Sequence, residues 1–251
     1  MKRIIVGNWK MNLGPTEASL LVHRLNEKLE ESKNTEVVIC PPFVDLFALA
    51  KDLNHKKLKM GAQNLHYMDA GAFTGEISGP MLKGLADYVI IGHSERRAMG
   101  ETDKVIARKV AAAVRNQIVP VLCVGESLTE RQHDLSTKVV TDQVTAGLAD
   151  LTAEEAVNII VAYEPVWAIG AGTPATPDQI RPCITAIRST VEEVFGEQAA
   201  GGLRVIYGGS VTHEVVADLL RIEGIDGFLP GGASLIAEKF QAIVKATEDF
   251  E

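Results

Sequence analysis

No two cysteines in the chain stand at metal-ligand spacing; there are three among 251 residues, Cys40, Cys123 and Cys183, odd in number and far apart. Single thiols spread this way fit reduced, mostly buried side chains in a cytoplasmic protein, not a disulfide framework. No His/Cys/Asp cluster has ligand spacing either, so no metal is expected. Basic residues are outnumbered, 25 Lys and Arg against 33 Asp and Glu, for a net charge of -8, and they form no block. That argues against a general nucleic-acid or anionic-membrane binder, while leaving room for a local anion pocket of backbone N–H groups. No apolar segment is long enough to span a bilayer. The opening run Ile4-Ile5-Val6 is too short for a signal peptide, so a cytoplasmic location is expected. No dinucleotide-type glycine fingerprint follows the first apolar run, and neither a G-x-S-x-G elbow nor a Walker loop occurs. No cofactor is expected.

What remains is ordinary globular composition, 46% hydrophobic and 23% charged. The length suits one large α/β barrel or two small domains. Short β-rich runs alternate with amphipathic stretches. The expected strands are Ile4–Val6, Val37–Cys40, Leu58–Ala62, Tyr88–Ile91, Val119–Val124, Val157–Tyr163, Arg204–Tyr207 and Gly227–Leu229. Helical patterning covers Pro15–Glu31, with a stripe of Leu20, Leu21, Leu25 and Leu29, then Asp45–Leu53, Thr102–Asn116 and Ser136–Leu148. It resumes at Thr152–Ala156, Pro177–Phe195, His213–Leu220 and Ser234–Ala246. Eight strands each followed by a helix imply parallel strands with right-handed crossovers. With no linker or composition break, one (β/α)8 barrel over residues 1–251 is the expected architecture, eight parallel strands surrounded by helices. A doubly wound open sheet is the alternative. The missing fingerprint and the spread of polar groups over many strand ends favour the barrel.

Candidate site residues follow the strand ends, where parallel α/β folds place their chemistry. Asn8 and Lys10 follow the first strand; Lys10 reads as a substrate-anion contact or as a snorkelling surface lysine. Gly92-His93-Ser94-Glu95-Arg96-Arg97 follows the fourth. There His93 is a candidate acid or electrophile, or a capping or interface histidine. Ser94 is placed to cap the turn, so that backbone N–H groups favour the neutral imidazole. Glu164 follows the sixth strand, at the base of a long connection with the small apolar tip Ala168-Ile169-Gly170-Ala171-Gly172. Prolines 165, 174 and 177 stiffen that connection's ends. It reads as a lid over a site containing Glu164, or as an ordinary long loop. Tyr207-Gly208-Gly209-Ser210 and Leu229-Pro230-Gly231-Gly232-Ala233-Ser234 follow strands seven and eight, where a phosphate cup recurs in barrels. One carboxylate, one imidazole, one ammonium, one amide, a phosphate cup and an apolar lid fit proton abstraction beside a carbonyl on a small phosphorylated substrate.

Asn8–Asn12 (NWKMN), Gly92–Arg97 (GHSERR), Ala162–Gly170 (AYEPVWAIG), Tyr207–Ser210 (YGGS) and Gly231–Leu235 (GGASL) jointly resemble the triosephosphate isomerase family, in the family's order and over nearly the whole chain. The family is itself a standard worked example of pKa tuning, so the roles below come with the resemblance. It implies interconversion of dihydroxyacetone phosphate and glyceraldehyde 3-phosphate through an enediolate, a step of glycolysis and gluconeogenesis. Glu164 would be the base and neutral His93 the donor to the carbonyl oxygens. Lys10 would supply positive charge and Asn8 would help hold the oxyanion, with Glu95 close by. Gly170, Ser210, Gly231 and Gly232 would bind the phosphate through backbone N–H groups. Ile169 and Leu229 would press on Glu164. The Gln63–Gly79 loop resembles the family's dimer arm, with Thr74 approaching the partner's Asn8 and Glu95 region and Glu76 pairing with Arg96. A homodimer is therefore implied.

The chain departs from the family in places. Pro230 stands where valine or isoleucine is usual, predicting an altered strand-eight connection and weaker phosphate binding. Ala171 replaces a common threonine, and Thr173-Pro174-Ala175 a lysine-containing hinge, with Pro174 lowering the entropy of the open lid. Two other readings stay open: another phosphate-binding barrel isomerase or lyase, and a barrel scaffold whose catalysis Pro230 weakens.

Overall fold

The chain is described from a computed structural model, over residues 1–169 and 175–250. In order, the elements are β1 (Arg3–Asn8), α1 (Pro15–Lys28), β2 (Thr35–Cys40), α2 (Phe43–Asp52), β3 (Lys59–Ala62), α3 (Gly79–Leu82) and β4 (Tyr88–Ile91). Next come α4 (Ser94–Ala98), α5 (Asp103–Arg115), β5 (Val119–Val124), α6 (Leu128–Gln132), α7 (Ser136–Gly147), β6 (Ile160–Tyr163) and α8 (Pro177–Phe195). The chain finishes with α9 (Glu197–Gly202), β7 (Arg204–Tyr207), α10 (His213–Leu220), β8 (Gly227–Phe228) and α11 (Ala237–Glu248).

The strands close in sequence order, every pair parallel, and β1 meets β8 through Ile4↔Gly227 and Ile5↔Phe228. Closure excludes the open doubly wound sheet. Period-two alternation sorts the strand residues into two cores. Ile4, Val6, Val38, Ile90, Val121 and Ile206 fill the barrel interior. Their neighbours Ile5, Ile39, Ile91, Leu122, Val161 and Val205 face the helices. Each such side chain, fully buried, is worth about 1.5–3 kcal/mol against exposure. At the N-terminal mouth Glu36 accepts from Tyr88 Oη at 2.6 Å and Arg204 Nη1 at 2.9 Å, closing the end away from the site. All three cysteines are free and buried. Among the described residues no helix is long and apolar enough to cross a membrane.

Boundaries moved where local hydrogen bonds captured the backbone. β6 starts at Ile160, three residues later than expected, because Glu155–Asn158 forms a 3-10 turn. Thr152 and Glu155 start that turn reciprocally: Thr152 N–H donates to Glu155 Oε2 at 2.9 Å, and Glu155 N–H to Thr152 Oγ1 at 3.3 Å. The last helix begins at Ala237, not Ser234, since Gly232–Leu235 is a 3-10 turn that Ser234 holds by donating to Gly231 O. On α1, Leu20 is exposed while Leu21, Val22 and Leu25 are buried, so the stripe is rotated from its expected position. α8 and α10 have the expected limits. Thr176 caps α8, donating its N–H to Gln179 Oε1 at 2.9 Å.

Candidate active site

The C-terminal strand ends converge on a cavity of about 410 Å³ whose wall includes Asn8, Lys10, His93, Glu164, Ser210, Gly231 and Gly232. Ile169 and Leu229 supply apolar wall beside Glu164. Gly170, the remaining phosphate-binding expectation, lies outside the described residues, as do Ala171, Thr173 and Pro174 of the expected lid.

Glu164 is held by the tips of the flanking strands. Its N–H donates to Val124 O at 2.7 Å, and Gly208 N–H donates to Tyr163 O at 2.8 Å. A Cβ on Gly125 would sit 1.7 Å from Glu164 O, so only glycine fits beside that carbonyl. The side chain is 3% exposed. Its Oε2 accepts the Ser94 N–H at 3.0 Å, and its Oε1 lies 3.0 Å from His93 Nε2. The carboxylate and the imidazole that the sequence separates by 71 positions thus touch.

His93, not Ser94, is the N-cap of α4. Its Nδ1 accepts the Glu95 N–H at 3.2 Å. A nitrogen that accepts must offer its lone pair, so the network assigns the ring proton to Nε2, the atom facing Glu164. The sequence placed the cap at Ser94; in the structure the His93 ring itself takes the capping N–H. Arg97 fixes the corner behind it: Nε donates to Gly92 O at 2.8 Å, Nη2 to Cys123 O at 3.2 Å, and Nη1 pairs with Asp103 at 2.5 Å.

Lys10 adopts φ 53°, in the left-handed region, which costs a non-glycine residue about 1–3 kcal/mol. Two side chains hold it there. Asn8 Oδ1 accepts the Lys10 N–H at 3.0 Å, and Gln63 Nε2 donates to Lys10 O at 2.8 Å and to Cys40 O at 2.9 Å. The ammonium pairs with Glu95 Oε1 at 2.7 Å. Glu95 itself is exposed and is not in the cavity wall; it backs Lys10 from outside.

The glycine cup is built from Gly231 outward. Ser234, fully buried, donates both its N–H (2.9 Å) and its Oγ–H (2.6 Å) to Gly231 O. A Cβ on Gly231 would stand 3.3 Å from Lys10 Cε, so glycine lets the lysine stem cross the cup. Pro230 keeps one role at the seam, its carbonyl accepting the Asn8 N–H at 2.9 Å, and lacks the donor another residue would bring. Regular β8 pairing ends at Phe228, one residue short of the expected Leu229.

Glu126 carried no expectation, yet it anchors the 3-10 turn that follows β6. Fully buried, it accepts from Trp167 Nε1 at 2.8 Å, from Tyr163 Oη at 3.1 Å and from Arg131 Nη1 at 3.3 Å. Its place after the fifth strand end was the available signal. In the Gln63–Gly79 loop, Thr74 and Glu76 are exposed and line no part of their own chain's cavity. α5 clamps the loop's base. Arg108 stacks 3.6 Å from the Tyr67 ring centroid, and Arg115 grips Asp69 at 2.9 and 3.1 Å.

A closed parallel barrel with a touching carboxylate and imidazole beside an amide-rich cup defines an acid–base enzyme for small anions. The family model described as triosephosphate isomerase matches residues 3–247. A triosephosphate isomerase of Clostridium perfringens (strain 13 / Type A) is 47% identical over 243 residues, 96% of this chain and 98% of that protein. One of Carboxydothermus hydrogenoformans is 46% identical over 248 residues, covering 98% and 99%. One of Acetivibrio thermocellus is 45% identical over 246 residues, covering 97% and 98%. The chain belongs to the triosephosphate isomerase family and is an isomerase.

Proposed function

We propose that this chain interconverts dihydroxyacetone phosphate and D-glyceraldehyde 3-phosphate, with Glu164 as the base that moves the proton. The 3.0 Å contact between Glu164 Oε1 and His93 Nε2 is the observation that carries this reading. Both groups engage one another in the resting site, so a three-carbon substrate must enter between them and take over both contacts. Glu164 then removes a proton from the carbon beside the carbonyl. The electron pair moves into the new C–C double bond, and the carbonyl oxygen gains charge that His93 Nε2–H stabilises. The proton of the neighbouring hydroxyl passes by way of His93 to the former carbonyl oxygen, and Glu164 returns its proton to the former carbonyl carbon, so that the carbonyl now stands at the neighbouring carbon. With Asn8 Oδ1 committed to the Lys10 N–H, the Asn8 amide N–H2 is the group left to donate to the oxyanion.

The phosphate sits on the N–H groups around Ser210, Gly231 and Gly232, with Gly170 joining from the lid. Lys10 adds charge between the two ends of the substrate, and Glu95 holds its ammonium in place. Closure of the connection from Pro165 to Ala175 excludes water and protects the enediolate. No step needs a cofactor or metal. One barrel domain acts in the cytoplasm, in glycolysis and gluconeogenesis, as a homodimer. Thr74 on the clamped loop enters the partner's site, and Glu76 pairs with Arg96 across the interface; the exposure of Thr74 and Glu76 supports this arrangement.

A coupled assay on glyceraldehyde 3-phosphate tests the reading. Wild type should turn over, and Glu164→Gln should lose about 10³-fold in kcat with little change in KM. Equal rates would remove Glu164 as the base.

A further inference from the structure

The cavity that holds Glu164 and His93 also includes Lys239, in the same wall as Gly231, Gly232 and Ala233. Among the described residues of that wall, Lys10 and Lys239 carry the positive charge. They differ in what occupies them. Lys10 is paired with Glu95 at 2.7 Å, whereas Lys239 makes no ion pair within 4 Å among the described residues. Glu214 is its acidic neighbour. That carboxyl is held below the usual range first by the Thr212 hydroxyl, with His213 and then Lys239 contributing charge from nearby.

The position of Lys239 is unusual for a surface lysine. It is the third residue of α11, in the first turn, where the helix dipole presents its positive end and acids are favoured. Glu238 beside it follows that rule and pairs with Lys28 at 3.2 Å. A lysine here opposes local electrostatics, and such a conflict marks a residue kept for a ligand more often than for the helix. The ligand must be anionic, because the same helix end and the cup N–H groups also present positive charge. The whole chain carries -8, with Glu95 and Glu214 near the mouth, so an approaching dianion needs local cations to be drawn in.

We propose that Lys239 is a substrate-binding residue whose ammonium pairs with the substrate phosphate at the rim of the glycine cup. This rests on the reading of the substrate as a phosphorylated triose. It adds a flexible cation to a site otherwise built from fixed backbone donors. Lys239 acts on capture and retention of the anion, not on the proton transfer, so its effect belongs in KM and in phosphate affinity.

The experiment compares wild type, Lys239→Ala, Lys239→Arg and Lys245→Ala, the last changing net charge equally from the far end of the same helix. KM and kcat for glyceraldehyde 3-phosphate are measured at low and high ionic strength, and the Kd for inorganic phosphate by calorimetry. At low salt, Lys239→Ala should raise both KM and the phosphate Kd about fivefold, with kcat within about twofold of wild type. The difference should shrink at high salt, Lys239→Arg should restore both values, and Lys245→Ala should match wild type. Unchanged KM and phosphate Kd in Lys239→Ala at low salt would overturn the proposal, as would an equal effect from Lys245→Ala. If wild type binds phosphate without turning over the triose, the isomerase reading fails while the phosphate titration still decides the role of Lys239.

Discussion

Glu164 and Lys10 are each held in a position that a free chain would avoid. A buried carboxylate with no Lys or Arg within 4 Å among the described residues is retained by the Ser94 N–H and the His93 imidazole. A lysine in left-handed backbone is retained by Asn8 and Gln63. Preorganisation here means strain and desolvation offset by a few hydrogen bonds from other strand ends. Pro230 belongs to the same scale. Its carbonyl serves the Asn8 N–H, so replacing the ring leaves that bond in place and restores only a donor. Pro230→Val should therefore lower KM for the triose phosphate with kcat little changed, measured in the coupled assay; equal KM values would show that the proline is neutral for phosphate binding. Asn8, Lys10, His93 and Glu164 were legible in the sequence because each stands at a strand end, where one-dimensional position maps onto the barrel mouth. Arg97, Gln63 and Glu126 were not, because each acts by reaching a backbone or ring contributed by a different strand. Periodicity does not encode that reach.

The Glu126 anchor governs the element that follows β6. One buried carboxylate ties Tyr163 at the strand end, Trp167 in the following 3-10 turn and Arg131 on α6, whose guanidinium also lies 4.4 Å from the Trp167 ring centroid. Removing it strands the buried Tyr163 hydroxyl together with two half-buried donors, Trp167 Nε1 and Arg131 Nη1. Glu126→Ala should cost about 3 kcal/mol, lowering Tm by roughly 6–12 °C. It should also change kcat and KM together, as loosening a lid hinge does. Thermal unfolding and steady-state kinetics of one preparation check both halves. A variant with wild-type Tm would show that the anchor holds nothing. At this scale the sequence pattern placed every strand, and α8 and α10 to the residue. It lost the short helices α3, α6 and α9 because four to six residues are too few for a periodic signal. It displaced β6 and α11 where Thr152–Glu155 and Ser234–Gly231 closed 3-10 turns, local bonds that apolar patterning does not register.

At the scale of the whole molecule, the loop between β3 and α3 is clamped by charges on α5. Hydrogen bonds from Arg115 and Asn116 hold the Asp69 carboxyl below the usual carboxylate range. With a folded value below the unfolded one of about 3.9, this clamp contributes fully above that pH. It is lost as pH falls through the lowered value. Asp69→Asn should weaken the proposed dimer at neutral pH, and the gap from wild type should close on acidification below pH ~4. Sedimentation equilibrium across that range reads both effects, and a pH-independent gap would place the clamp's contribution elsewhere. The closed barrel was legible from eight alternating runs and the absent nucleotide fingerprint. The loop's stiffness was not, since Arg108 and Arg115 reach it across some forty residues of sequence.

The central claim is that Glu164, paired with neutral His93, carries the proton between two carbons of the substrate. Isotope exchange in heavy water tests it most directly, following deuterium entry into dihydroxyacetone phosphate by proton NMR with wild type and Glu164→Gln. Wild type should incorporate deuterium at the carbon that loses its proton while forming glyceraldehyde 3-phosphate, and Glu164→Gln should lose exchange and conversion together by about 10³-fold. Deuterium entry at the wild-type rate in Glu164→Gln would contradict the claim.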